Sequence, residues 1–213
     1  YTGDNNMSAL SRLVGNPNPW PSFTDKFPVK VKDLSVSNDG PSSPLTAGFL
    51  QHITNDIKEA GDHLQGRTAA KCLMTRWDMH NEYTTFRVIG SAATEVAHRC
   101  PVATKTDTEG NALSVPLFIK DSWGLVYVKG NETKEHNHWP SLWSYTFCVN
   151  ACENCAPLVF PTCVNGYEVK PKTAQLIVFP AWIKHEVPVH KCNHERIMVA
   201  GNLNVGQDKK DAS

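Results

Sequence analysis

Two histidines, His136 and His138, are the residues whose type and spacing point most directly to chemistry. On an extended strand, side chains two positions apart project from the same face, so both imidazoles can bind one metal ion without distorting the backbone. Alone, the pair is weak evidence, since polar residues grouped in a turn more often form a solvated surface. Glu135 is the adjacent carboxylate, but it points to the opposite face of a regular strand, so we rank it behind His138 as a ligand.

A third histidine and an arginine follow the longest apolar stretch of the chain. That stretch spans residues 176–183, and His185 follows it after Lys184. Arg196 lies eleven residues after His185, where another apolar segment begins. This order of elements is a buried strand, a turn, a histidine and then a strand that begins with arginine. It can place His185 opposite the first two histidines and Arg196 a few ångströms deeper in the interior of the protein. The alternative interpretation is a core histidine and an arginine in a surface salt bridge.

Cysteines form a second candidate site. Four of the seven cysteines fall within sixteen residues, at Cys148, Cys152, Cys155 and Cys163. Four thiols at such spacing are suggestive of a structural zinc site. Two other interpretations stay open: a disulfide between two of them, or plain thiols, because Cys148 continues an apolar segment in which a free cysteine packs as a small apolar side chain.

Composition restricts the class of protein. The chain has 213 residues, 40% of them hydrophobic, with 21 basic and 21 acidic residues and a formal net charge of zero. We therefore expect one globular domain, residues 1–213, with a substantial core. Balanced charge does not favour nucleic acid or an anionic membrane as a partner. The longest apolar stretch contains Pro180 and is far shorter than the roughly 20 residues of a membrane helix.

The elements that must position the candidate residues divide the chain into parts. Residues 1–45 are rich in Pro, Asn, Ser and Gly, which predicts an irregular arm with an edge strand at 27–36. Helical spacing of apolar residues predicts helices at 46–61 and 83–98 within a supporting part, 46–104. Short β-rich segments fill a core at 105–205 and indicate a sandwich or barrel. A polar tail follows at 206–213. The β-rich segments are 114–119, 123–128, 141–149, 157–160, 167–170, 175–179, 185–189 and 196–204.

Taken together, the motifs resemble the iron(II)- and 2-oxoglutarate-dependent oxygenase superfamily. They combine His-x-His, a distal histidine after a Phe-Pro-x-Trp turn, and an arginine about one strand later. The pattern is most similar to the prolyl-hydroxylase-like oxygenases that are common in bacteria and marine cyanophages. The matching residues include Trp123, Lys129, Gly130, His136, Asn137, His138, Pro171, residues 176–180, His185, Glu195, Arg196, Ile197 and Asn202, with residues 71–80 similar to the segment before the core.

The resemblance implies a mainly β fold, the double-stranded β-helix (jelly-roll or cupin-like) core, buttressed by N-terminal helices. It implies that His136, His138 and His185 hold iron(II), and that Arg196 pairs with the far carboxylate of 2-oxoglutarate. With O2 as the oxidant, the implied function is a dioxygenase that hydroxylates an unidentified substrate, such as a prolyl or other protein side chain.

Two positions depart from the superfamily pattern. The usual triad has a carboxylate where this chain has His138, and neutral imidazole brings no negative charge to the metal. Many relatives carry serine two residues after the arginine, where this chain has Met198, so another partner for the cosubstrate carboxylate is needed. Tyr127 is a candidate, although such a tyrosine is more often part of the core.

Two other functions stay open. One is a three-His cupin-like dioxygenase that uses no 2-oxo acid, and the other is a non-catalytic interaction or virion-associated module with a jelly-roll fold. Arg196 favours the 2-oxoglutarate enzyme, since a site without that cosubstrate needs no buried partner for a carboxylate. The first residues show no charged and then apolar leader pattern, and we expect a cytoplasmic protein, in the host cytoplasm or the virion if a phage encodes it.

Overall fold

The computed structural model describes residues 29–34, 47–64, 67–98, 105–106, 112–113, 116–162 and 166–206. The helices are α1 (Ala47–Ala60), α2 (Met79–Glu82) and α3 (Thr84–His98). The strands are β1 (Lys30–Asp33), β2 (Ala70–Lys71), β3 (Leu73–Met74), β4 (Lys105–Thr106), β5 (Ala112–Leu113), β6 (Leu117–Tyr127), β7 (Glu132–His136), β8 (Trp143–Asn150), β9 (Leu158–Phe160), β10 (Tyr167–Val169), β11 (Gln175–Pro180), β12 (His185–Val187) and β13 (Arg196–Val205).

Both long helices form where the apolar spacing predicts them. In α1, Ile53 and Ile57 lie four residues apart and are fully buried, which places one apolar stripe against the sheet. Gly61 ends this helix with a φ of 68°, a conformation that favours glycine, and its N–H donates to the Ile57 carbonyl at 3.2 Å. None of the helices in the described part of the chain combines the length and apolar character needed to cross a membrane.

The strands build a two-layer antiparallel sandwich. One sheet has the order β1-β11-β8-β13-β6-β3, the facing sheet has the order β10-β9-β12-β7-β2, and β4 pairs with β5 separately. This arrangement confirms the predicted mainly β, jelly-roll core. Strand β1 lies at an edge of the larger sheet, as expected for the arm. The rest of residues 1–45 and the tail beyond 206 lie outside the described residues, and the single-domain organisation stays a prediction.

Alternation along β13 shows how the larger sheet separates two cores. Ile197, Val199 and Leu203 pack on the helix side, where they join the buried faces of α1 and α3. Met198 and Ala200 face the other sheet and join the core between the two layers. Because side chains alternate with period two, the residues of β13 that face the second sheet also include its first residue, Arg196.

Strand pairing brings the candidate residues into one space. His185 on β12 pairs directly with His136 on β7 in the smaller sheet. Arg196 on β13 pairs with Tyr127 on β6 in the larger sheet. The histidines and the arginine therefore approach the same interior from opposite layers.

Two features of the strand pattern differ from the sequence prediction. The predicted segments 114–119 and 123–128 lie largely on one long strand, β6, which stays paired with β13 through a register shift after Asn202. The predicted β-rich segments omit β7, because its sequence Glu-Thr-Lys-Glu-His has no apolar alternation, although the spacing of His136 and His138 assumes an extended strand there. Its pairing with β12 and β2 holds it in the sheet.

Candidate metal centre and its cavity

Three histidines from two parts of the chain, His136 and His138 in one and His185 in the other, meet at one cavity. The ring centroids of His136 and His185 are 4.3 Å apart, and those of His138 lie 4.9 Å from His136 and 5.0 Å from His185. One ring nitrogen from each lies within 4.8 Å of the others. His138 follows the end of β7, and its backbone N–H donates to the Ala181 carbonyl at 2.7 Å, which places it beside the turn before His185.

Hydrogen bonds fix which nitrogen two of these rings present. His136 Nδ1 donates to the Lys134 carbonyl at 2.8 Å, and His185 Nδ1 donates to the Ile183 carbonyl at 2.9 Å. A carbonyl can only accept, so the neutral ring carries its proton on Nδ1 and leaves the Nε2 lone pair free. A backbone carbonyl on the second ring nitrogen is the usual support of a metal-binding histidine.

Burial keeps all three imidazoles neutral at physiological pH. Desolvation lowers the pKa of His136 and of His185 below the ordinary value of 6.5. Desolvation, with smaller contributions from His136 and Lys120, lowers the pKa of His138 to about 3. Neutral imidazole is the form that binds metal, so the cluster is prepared to donate three lone pairs.

The donor set fits a divalent transition metal. Three imidazoles suit iron, zinc, copper or nickel. Because all three would bind from one side of the ion, the coordination positions on its other side would stay open to further ligands. Within the described residues, the group that could hold the ion contains these histidines and no carboxylate. Glu135 points away, as predicted, and pairs with Lys184 at 2.7 Å. The three residues of this group therefore bring no negative charge to offset that of a bound metal.

Arg196 is a buried cation that forms no salt bridge with a carboxylate of the described residues. Its residue is only 2% exposed, and its Nε has no hydrogen-bond partner among the residues that the structure describes. Its guanidinium carbon lies 4.7 Å from the centroid of the Tyr127 ring, a cation–π contact that supports the group from one side. Burial raises the pKa of the neighbouring Cys72 and Cys148 thiols to about 12, so neither thiol offers a negative charge.

Tyr127 lies beneath Arg196, and its hydroxyl is already in contact with a second hydroxyl. Tyr127 Oη and Thr133 Oγ1 are 2.6 Å apart, and burial raises the pKa of the tyrosine above its ordinary range. The phenol therefore stays protonated at neutral pH. Both residues border the same interior as Arg196.

A cavity of about 480 Å³ connects the histidines with Arg196. Two half-exposed tryptophans border the cavity, and of these the sequence gives no separate signal for Trp77, whereas Trp139 is adjacent to the histidine pair. Trp77, 50% exposed, stands before the β-rich core in sequence, and Trp139, 55% exposed, follows the histidine pair. A polar wall is formed by Ser144, which donates to Asn202 at 2.9 Å, and by Asn202, which donates to Asp121 at 3.3 Å.

The predicted cysteine set is only partly brought together. Cys152 and Cys155 lie close to each other, but the third sulfur beside them belongs to Cys192. Cys148 is outside this group, because its strand directs it into the core between the sheets. Cys163 lies outside the described residues. The zinc interpretation of the sequence spacing is therefore corrected at Cys148, which does not join the cluster, because local spacing cannot show that the β12–β13 loop contributes Cys192.

Acidification should destabilise the metal-free protein between pH 7 and pH 5. The pKa values of the three histidines are lowered in the folded state, so the unfolded chain takes up protons first as the pH falls below about 6.5. Proton uptake then favours unfolding. We expect the thermal unfolding midpoint to fall over this range, with a shallower fall in His138→Asn. Identical pH profiles for the two proteins would contradict this account.

Comparison with solved structures identifies the fold. The chain matches the viral collagen prolyl hydroxylase of Paramecium bursaria Chlorella virus-1, solved with 2-oxoglutarate, at a TM-score of 0.61 and 15% identity, over 84% of this chain and 97% of that chain. A prolyl-4-hydroxylase of Pseudomonas putida matches at a TM-score of 0.57 and 14% identity, over 85% and 94%. HygX of Streptomyces hygroscopicus, solved with nickel and 2-oxoglutarate, matches at 0.58 and 9% identity, over 84% of each chain.

The similarity lies in structure and not in readily matched sequence. No protein-family model matches the chain, and no curated protein matches it in sequence. The chain has the fold of the 2-oxoglutarate- and iron(II)-dependent oxygenases, which confirms at the level of fold the resemblance drawn from the motifs.

Proposed function

We propose that this protein is an iron(II)- and 2-oxoglutarate-dependent dioxygenase that hydroxylates a prolyl or other protein side chain. One observation carries the proposal: three neutral histidines and a buried arginine face one cavity from opposite sheets, and the described residues give the arginine no carboxylate partner. The histidines account for a metal, and Arg196 accounts for an anionic cosubstrate. The solved structures with this fold that contain 2-oxoglutarate support the same assignment.

Arg196 would bind the far carboxylate of 2-oxoglutarate. A buried cation without a partner is costly, and a carboxylate that forms two parallel hydrogen bonds with the guanidinium offsets that cost. The Tyr127 ring holds the guanidinium in place. The Tyr127 and Thr133 hydroxyls are 2.6 Å apart, and whichever of them accepts from the other would donate its own O–H to a carboxylate oxygen. We propose that these two hydroxyls replace the serine of many relatives, whose position Met198 occupies in this chain, as a partner of the cosubstrate carboxylate.

His136, His138 and His185 would hold the iron. When bound, iron(II) supplies the activation of O2 that couples decarboxylation of 2-oxoglutarate to hydroxylation. The chain supports this by excluding water: the Phe179 ring lies 4.8 Å from the His185 ring, and His185 itself is 4% exposed. The open side of the cluster faces the cavity, where the cosubstrate carboxylate would also enter.

A protein side chain is the proposed substrate. Trp77 and Trp139 line the cavity and are half exposed, so they can contact a chain that extends beyond it. The neighbours include proteins described as prolyl hydroxylases, which favours a prolyl side chain, while HygX has been solved with the small molecule hygromycin B. We also propose a cytoplasmic location, which suits the free thiols among the described cysteines.

The direct test is formation of succinate from 2-oxoglutarate by the iron-loaded protein in air. Peptides that contain proline, and peptides in which alanine replaces that proline, serve as substrate and control. We expect faster succinate formation and a gain of one oxygen only with the prolyl peptide. Oxygen consumption without a 2-oxo acid would favour the cupin-like dioxygenase, and failure to bind metal would favour the non-catalytic module.

The substitution His138→Asp should retain iron binding and succinate formation. It restores a negative ligand at the position where the superfamily usually has one, and the added charge offsets part of the metal charge. We expect at least as tight an association with iron(II), measured by competition with a chromogenic chelator. His138→Ala is the control and should bind iron more weakly. A folded, iron-loaded His138→Asp protein without turnover would show that histidine is specifically required.

A further inference from the structure

Three thiols meet at a second place, beside the start of β13. The Cys152 sulfur lies 3.6 Å from that of Cys155 and 3.4 Å from that of Cys192. All three sulfurs lie within 4.8 Å of one another. Cys152 and Cys155 belong to the β8–β9 loop, whereas Cys192 comes from the β12–β13 loop, forty residues away. A disulfide needs only two thiols, whereas three thiols from two loops meet here.

The sulfur separations suit a tetrahedral metal ion. Zinc binds thiolates at about 2.3 Å, which places neighbouring sulfurs of a tetrahedral site about 3.8 Å apart. The observed contacts of 3.4 and 3.6 Å are close to that value. A disulfide would draw two sulfurs to about 2.0 Å and would leave the third without a role.

Backbone N–H groups are directed at these sulfurs. The N–H of Cys152 donates to the Cys155 sulfur at 3.3 Å, and the N–H of His194 donates to the Cys192 sulfur at 3.3 Å. Such donors stabilise negative charge on sulfur and orient it, as outer hydrogen bonds do in metal sites.

A buried histidine holds the two loops together without being a ligand. His190 is fully buried, and its Nδ1 accepts from the Ala156 N–H at 3.2 Å. Its Nε2 donates to the His194 carbonyl at 2.7 Å. Both ring nitrogens are therefore occupied, so His190 positions the loops that carry Cys155 and Cys192.

We propose that Cys152, Cys155 and Cys192 bind one zinc ion that joins the β8–β9 loop to the β12–β13 loop. Cys155 is buried, whereas Cys152 and Cys192 are partly exposed, so the fourth position faces solvent and takes a water molecule. The ion fixes the chain between His185 and Arg196. This site does not depend on the proposed function, because it uses none of the residues of the histidine cavity.

Cobalt(II) substitution tests the site in the whole reduced protein. Cobalt bound to thiolates gives intense near-ultraviolet charge-transfer bands that cobalt bound to histidines does not give. We expect one thiolate-bound cobalt per chain, displaced by one equivalent of zinc. The bands should persist in His185→Ala, whose change lies in the other site. Absence of thiolate bands from the reduced protein would overturn the proposal.

Variants and alkylation locate the ligands. Cys152→Ala and Cys192→Ala should lose the thiolate bands and the bound zinc, whereas Cys148→Ala, outside the cluster, should keep both. If the variants do not fold, differential alkylation of the unsubstituted protein gives the answer. Cys152 and Cys192 should react only after a chelator removes zinc. Equal reaction of Cys152 and Cys192 with and without the chelator would contradict the assignment.

Discussion

Arg196→Ala should leave iron(II) bound while it weakens the binding of 2-oxoglutarate by about 100-fold or more. Removal of one partner of a buried charged pair costs about 3–5 kcal/mol, and about 1.4 kcal/mol corresponds to tenfold in affinity. The arginine approaches the cavity from the larger sheet, away from the histidine cluster of the smaller sheet, so metal affinity should be unchanged. The measurement is the KM for 2-oxoglutarate beside iron stoichiometry.

Arg196→Lys is the matched variant for charge. It keeps a cation but loses the planar fork that forms two parallel hydrogen bonds, so we expect an intermediate KM. The thermal stability of the cosubstrate-free Arg196→Ala protein should not fall greatly, because the substitution removes the guanidinium from no salt bridge with a carboxylate in the described part of the chain. Loss of iron from Arg196→Ala and His185→Ala to the same extent would contradict the division of roles.

His185→Ala should abolish iron binding and turnover. His185 is the most buried of the three histidines, and its Nδ1 bond to Ile183 fixes the direction of its free nitrogen. Loss even of outer support typically costs 10–100-fold in metal affinity, so loss of the ligand itself should cost at least about 100-fold. Iron content after gel filtration and succinate formation are the two measurements.

His52→Ala is the control for general effects of removing a histidine. His52 lies on α1 with a side chain that is 72% exposed, remote from the cavity in sequence and in the fold. It should bind iron and form succinate as the unsubstituted protein does. If His185→Ala stays folded and retains a full equivalent of iron and full turnover, His185 is not the ligand that the geometry indicates.

Much of the framework follows from period-two patterning. The alternation from Ile197 to Leu203 predicts a strand with apolar residues on both faces, and such a strand belongs in the middle of a sandwich. The structure places β13 there, between β8 and β6. The two long helices can be predicted equally well, because the apolar residues of α1 and α3 keep helical spacing over whole turns.

Other features depend on contacts that single-sequence patterns do not encode. Strand β7 is charged, and its place in the sheet comes from pairing partners that are distant in the chain. Cys192 joins Cys152 across forty residues, so local spacing alone suggested Cys148 and Cys163 instead. The backbone carbonyl of Trp77 accepts a hydrogen bond from the Ser122 N–H. This bond links the segment before the core to β6 and so holds Trp77 beside the cavity.

The three-His composition could be read from the sequence, but its environment could not. His138 follows β7 and is held by the Ala181 carbonyl, and its ring lies 5.5 Å from that of Trp123. The pKa of His138 is lowered by this burial, and to a smaller extent by repulsion from His136 and Lys120, which can each carry a positive charge. These are tertiary consequences of the sandwich.

Anaerobic titration of the iron(II)-loaded protein with 2-oxoglutarate tests the central proposal most directly. Chelation of the 2-oxo acid by iron gives a weak visible charge-transfer band, which reports metal and cosubstrate together without any substrate. We expect the band to appear at saturation in the unsubstituted protein and to require far more 2-oxoglutarate in Arg196→Ala. An iron-loaded protein that develops no band at any 2-oxoglutarate concentration would contradict the assignment and favour a site that uses no 2-oxo acid.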